Sequence, residues 1–137
     1  MKRIIADAAV IVALIDNRDS FHQWAAAQAE SLPVPFLTCE AVISESCYLL
    51  HKIHRGEQTV LNYLTKGILQ IDFSLTNEID AIAALMDKYD NVPMSFADAC
   101  LVRMSELIDN SVVFTLDSDF QIYRKNGKSK ISLIIPN

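Results

Sequence analysis

The chain has 137 residues, of which 51% are hydrophobic and 21% charged, and carries a formal net charge of −5. That length fits one domain, residues 1–137, large enough to bury a core without staples, and the negative balance argues against a nucleic-acid binder that works through a general basic surface. The first apolar run is too short to span a bilayer and holds an acid where a signal peptide would not, so a soluble, cytoplasmic protein with no membrane partner is expected. The three cysteines, Cys39, Cys47 and Cys100, are odd in number and have no zinc-knuckle or redox spacing. They read as buried inert thiols.

In chain order, Ile4, Ile5 and Ala6 predict a buried strand ending on Asp7, and Ala8 to Ile15 a helix apolar on every side. Strand into buried helix is the opening of an α/β fold, which places ligands at the strands' carboxyl ends. Ser20 and Gln23 have capping-box spacing for a second helix with Phe21, Trp24, Ala25 and Ala29 on one stripe. Phe36 to Cys39 predicts a strand, and Glu40 to about His54 a third helix packed through Val42, Leu49, Leu50 and Ile53. Glu45 falls among those positions, where a bare charge needs a partner. A rim salt bridge is one such partner. Trp24 and Tyr48 are read as core or interface residues and not as base-stacking platforms, and His51 and His54 as the solvated side of that helix.

Beyond Gly56 the pattern predicts a helix over about 57–66, a strand over 68–73, and a helix capped by Thr76 with the stripe Ile79, Ile82, Ala83, Met86 and Tyr89. Ser95 and Asp98 form a second capping box, opening a helix that runs to about Asn110 and buries Cys100, Leu101, Met104, Leu107 and Ile108. An acid in a first helical turn is favoured by the macrodipole whatever the function. Ser111 to Thr115 predicts a strand, Asp117 and Asp119 the turn after it, and Ile131 to Ile135 a last strand. The basic residues Arg124, Lys125, Lys128 and Lys130 read as a solvated turn able to contact phosphates.

Singly, each acid has an ordinary structural explanation. If Asp7, Glu45, Asp98 and Asp117 share a pocket, each pair about 5 Å apart repels by roughly 3 kcal/mol at an effective dielectric near 20. A divalent cation on oxygen ligands removes that repulsion. Ile4-Ile5-Ala6-Asp7, Val42-Ile43-Ser44-Glu45, Ser95-Phe96-Ala97-Asp98-Ala99 and Phe114-Thr115-Leu116-Asp117-Ser118-Asp119-Phe120 together resemble the four acid motifs of PIN-domain nucleases, in the order and spacing of small VapC-type toxin ribonucleases. The closing Thr-x-Asp-x-Asp-Phe pattern is the most specific of them.

The resemblance implies a three-layer α/β/α sandwich with a central, mostly parallel sheet of about five strands. It implies hydrolysis of RNA phosphodiester bonds with Mg2+ or Mn2+ on Asp7, Glu45, Asp98 and Asp117. Asp119 would be an auxiliary ligand, Thr115 a polar support near the substrate, and Arg124 and Lys125 phosphate contacts. An antitoxin partner and a homodimer are family expectations. Ala8 and Ala9 depart from the hydroxyl and Ser or Asn residues common after the family's first Asp. That departure favours a competing reading, a degenerate member kept for protein binding. Asp117-Ser118-Asp119 is similar to the Toprim Asp pair, but that fold wants Glu after the first strand. A receiver domain wants an acid pair there, and Asp7 stands alone.

Overall fold

Strands whose every residue is buried need cover on both faces, since successive side chains point opposite ways. β1 (Arg3–Ala6) is buried from Ile4 on, and β2 (Phe36–Thr38) and β4 (Ser111–Phe114) throughout. The computed structural model, which describes residues 1–137, supplies that cover with helices in a three-layer α/β/α sandwich. After β1 come α1 (Ala8–Ile15), α2 (His22–Glu30), β2, α3 (Glu40–Leu49), α4 (Gly56–Thr65), β3 (Leu69–Ile71), α5 (Leu75–Lys88) and α6 (Phe96–Leu107). β4, a 3-10 helix (Ser118–Gln121), β5 (Arg124–Lys125), β6 (Ser129–Lys130) and β7 (Leu133–Ile134) complete the chain.

The five-stranded sheet has the order β3-β2-β1-β4-β7, every pair parallel. The chain builds outward from β1 to β3 on one side, then returns to start β4 on the other. The reversal lies between β1 and β4, where Ile4 pairs with Val112 and Ala6 with Phe114. In open parallel sheets that point leaves a crevice at the carboxyl edge. Phe114 anchors the core beneath it, 5.7 Å from the ring of Trp24 and edge-on to Phe36 at 6.0 Å.

The structure corrects several local expectations. Ser20 does not cap α2; Asp19 Oδ1 accepts from the Phe21 amide at 2.9 Å, and this turn displaces the capping box. Ser74 precedes α5 and Thr76 lies inside it, so Thr76 is not its cap. α3 ends at Leu49, not near His54, because bonds from Ile53 N to Leu50 O and from Gly56 N to Ile53 O fold the chain back. Gly56 comes so close to Leu50 that a Cβ there would lie 2.4 Å from its carbonyl oxygen. On α5 the buried stripe is Ile82, Leu85 and Tyr89, while Ile79 and Met86 face outward; Leu107 of α6 is also exposed. Two apolar stripes run along α5, and periodicity alone does not choose between them. The basic run after Tyr123 is an antiparallel β5-β6 hairpin, not a plain turn. All three cysteines are free, Cys39 and Cys100 buried and Cys47 half-buried.

Candidate metal centre

Each of four carboxylates is delivered by a different element. Asp7 follows β1 and caps α1, its Oδ1 accepting from the Ala8 amide at 2.7 Å. Asp98 occupies the third position of α6, whose N-cap Ser95 accepts its amide at 3.0 Å, as the capping box predicts. Asp117 follows β4 and caps the 3-10 helix, accepting from the Asp119 amide at 2.9 Å. Glu45 projects from α3 on its exposed side, not from the packed face that helical spacing suggests. Three of the four acids therefore stand at helix N-termini, whose exposed amides offset part of their charge.

Thr115, fully buried at the end of β4, joins two of them. Its hydroxyl donates to Asp7 Oδ2 at 2.7 Å and accepts from the Asp117 amide at 2.9 Å. With both bonds made, this hydroxyl supports the acids and is not presented to a substrate. Tyr123, also fully buried, donates its phenol proton to Asp98 Oδ2 at 3.0 Å. Nothing local in the sequence marks Tyr123, which lies 25 residues from its partner.

The charges act on one another. Burial pushes Asp7 up to about 6, against the lowering bonds of Thr115 and Ala8, and the charges of Asp98 and Glu45 push it the same way. Glu45 is raised by partial desolvation and then by Asp98 and Asp117. Asp98 is raised by burial, with Tyr123 opposing and Asp117 adding to the rise. Burial, followed by the Asp98 charge, keeps the Tyr123 phenol protonated and therefore a donor. The chain's ion pairs are Arg3–Asp72, Arg103–Glu78 and Arg103–Glu106, and none of them touches this cluster.

Asp7, Glu45, Asp98 and Asp117 are thus brought into electrostatic contact, with Asp119 beside Asp117. In this conformation no three Asp, Glu, His or Cys side chains converge closely enough to share an ion. Both Asp7 oxygens and one each of Asp98 and Asp117 are taken by the hydrogen bonds above. As a donor set the cluster still suits a hard divalent cation, being all oxygen and without a counter-charge. One guanidinium nitrogen of Arg124, Nη1, donates to the carbonyls of Gln121, Ile122 and Tyr123. Lys125 sits half-buried in the hairpin. His51 and His54 lie exposed on the turn after α3, away from any metal cluster.

The PIN domain family model matches residues 4–126. No curated protein matches the chain. Among solved structures, VapC20 of Mycobacterium tuberculosis, described as a sarcin-ricin loop cleaving toxin, superposes with a TM-score of 0.79. It is 20% identical, over 87% of this chain and 93% of VapC20, a likeness of fold.

Proposed function

The chain belongs to the PIN domain family, and on that premise we propose that residues 1–137 act as one domain, a divalent-metal-dependent endoribonuclease that hydrolyses RNA phosphodiester bonds. Asp7, Glu45, Asp98 and Asp117 would hold magnesium or manganese, with Asp119 in an auxiliary place. The observation that carries the reading is four carboxylates from four elements, mutually repelling, with no cation paired to any of them. At Arg103, by contrast, two half-buried carboxylates are given a cation. When bound, the ion would supply charge neutralisation and Lewis-acid polarisation at the phosphate.

The chain's own residues do the positioning. Thr115 fixes the rotamer of Asp7 and ties it to the turn bearing Asp117. Tyr123 orients Asp98 while leaving its other oxygen free. The helix N-termini lower the cost of holding these acids ionised before an ion arrives. No helix is long and apolar enough to cross a membrane. By analogy with VapC20 the reading extends to the toxin of a toxin–antitoxin pair with a cognate antitoxin protein, active as a homodimer in the cytoplasm.

The test is cleavage of single-stranded RNA by the purified protein with manganese or magnesium, beside Asp98→Asn prepared identically. The wild type should cut internally, chelator should stop it, and the variant should lose roughly a thousandfold in rate. Degradation unchanged by the substitution overturns the proposal. A second reading, a PIN fold kept for protein binding, draws on Ala8 and Ala9 and on the unconverged carboxylates. It predicts a folded protein inert at every metal concentration.

A further inference from the structure

Beside the acids, Ser44, Glu45 and Tyr48 of α3 face Ser95 and Phe96 at the start of α6 across an open groove of about 690 Å³. Tyr48 is 72% exposed and Phe96 41%, so two aromatic side chains stand in solvent at the rim of the site. Of the two places expected for Tyr48, core or interface, its exposure removes the core. One face of its ring is backed by the imidazole of His51, with centroids 5.4 Å apart and planes at 22°. The chain then turns through His51, Lys52, His54 and Arg55, all exposed and none in an ion pair.

We propose that this groove and turn form a track for single-stranded RNA, with a base stacked on Tyr48, phosphates along Lys52 and Arg55, and the strand entering the acid site past Glu45. The track rests on the nuclease reading only for what happens to the strand once it arrives. Ser44 and Glu45 share a helical face with Tyr48, at spacings of four and three, so the groove leads directly from the aromatic ring to the acids. Charge orients the strand. Glu40 and Glu45 in the groove repel phosphate, whereas the turn beyond Tyr48 offers unpaired cations. Bases therefore face inward and the backbone runs outside. The Ser44 side chain lines the groove beside Tyr48, and an exposed ring accepts any base because every base has a π-face. A base paired within a duplex is already stacked on its neighbours and gains nothing from Tyr48.

The probe is a short, fluorescein-labelled, single-stranded 2′-O-methyl oligonucleotide, titrated by anisotropy in magnesium over a series of salt concentrations. Tyr48→Ala should weaken binding roughly tenfold and Tyr48→Phe should restore it. Lys52→Ala combined with Arg55→Ala should weaken binding and flatten the log–log salt dependence by roughly one. All three positions lie on the surface, and circular dichroism checks that each variant is folded. Wild-type affinity in both variants overturns the track, and if the wild type still cleaves RNA the nuclease reading stands without it. Binding that depends on Tyr48 in a protein that never cleaves RNA supports the track and overturns the nuclease reading. A Tyr48→Ala variant that only shifts sedimentation from dimer to monomer, with probe affinity retained, identifies the face as a self-association surface and overturns the track.

Discussion

Two places in this molecule gather several carboxylates, and they treat them in opposite ways. On α5 and α6, Glu78 and Glu106 converge on Arg103, at 2.7 and 3.1 Å, and every charge there is answered. At the carboxyl edge of β1 and β4, Asp7, Glu45, Asp98 and Asp117 face one another with hydroxyls and amides but no cation. The first arrangement is complete within the chain and stabilises it. The second leaves repulsion that protonation or a cation from outside would relieve, in contrast to an ion pair closed within the chain.

The largest expected effect separates the two by pH. Asp7 is held at about 6, above its ordinary 3.8, so folding favours its protonated form. The associated stability is fully present below the ordinary carboxylate value and is lost as pH rises through about 6. Metal-free protein should therefore lose about 3 kcal/mol between roughly pH 4 and pH 7 from this group alone. Calorimetric melting at several pH values reads this directly. Magnesium or manganese at about a hundred times its Kd should return about 2.7 kcal/mol at neutral pH, and Asp7→Asn should abolish both the slope and the metal response. Stability that rises steadily through this pH range without metal would show the acids to be as well compensated as Glu78 and Glu106.

The next effect is smaller and should ignore metal altogether. Arg103→Ala leaves Glu78 and Glu106 without a counter-charge in half-buried positions and should cost about 2 kcal/mol, seen as a lower denaturant midpoint. Because Arg103 answers carboxylates outside the cluster, the metal-induced rise in melting temperature should survive intact. A lost metal response would mean that the two regions are coupled through α6, which carries both Arg103 and Asp98.

Tyr123→Phe sharpens the contrast from inside the site, with the smallest expected change. It removes the donor to Asp98 and nothing else, and should lower stability by about 1 kcal/mol and cleavage by about tenfold. The informative readout is manganese affinity, which should fall with the cleavage rate if Tyr123 positions the carboxylate. Unchanged metal affinity would leave Tyr123 as packing for Phe120 and Tyr89, whose rings it meets edge-on at 5.2 Å.

How much of this was legible in the sequence follows from the range over which each feature is determined. The Ser95–Asp98 capping box is contained in four residues, and the Asp117 turn in three, so both were readable. The parallel sheet was readable because its strands are apolar without alternation. Glu45 was placed on a packed face by counting from Val42 and Leu49, but Leu49 is itself exposed and the buried face of α3 is Val42, Ile43 and Ser46; the helix also stops at Leu49, short of His54. The stop depends on how closely Gly56 meets Leu50, a tertiary contact that periodicity does not contain. Tyr123 was invisible for the same reason, since its partner is 25 residues away. The hold that backbone carbonyls have on one nitrogen of the Arg124 guanidinium was not readable either, since it depends on how the chain turns after the 3-10 helix.

The sheet order has a consequence for how such a protein comes into being. β1 is made first, yet its neighbour β4, which brings Thr115 and Asp117, begins only at Ser111. A ribosome must therefore emit the chain through Asp117 before the four carboxylates can meet, and on the proposed function a product terminated earlier would not cut. For an enzyme proposed to attack RNA, the cell that translates it is shielded from half-made copies by topology alone.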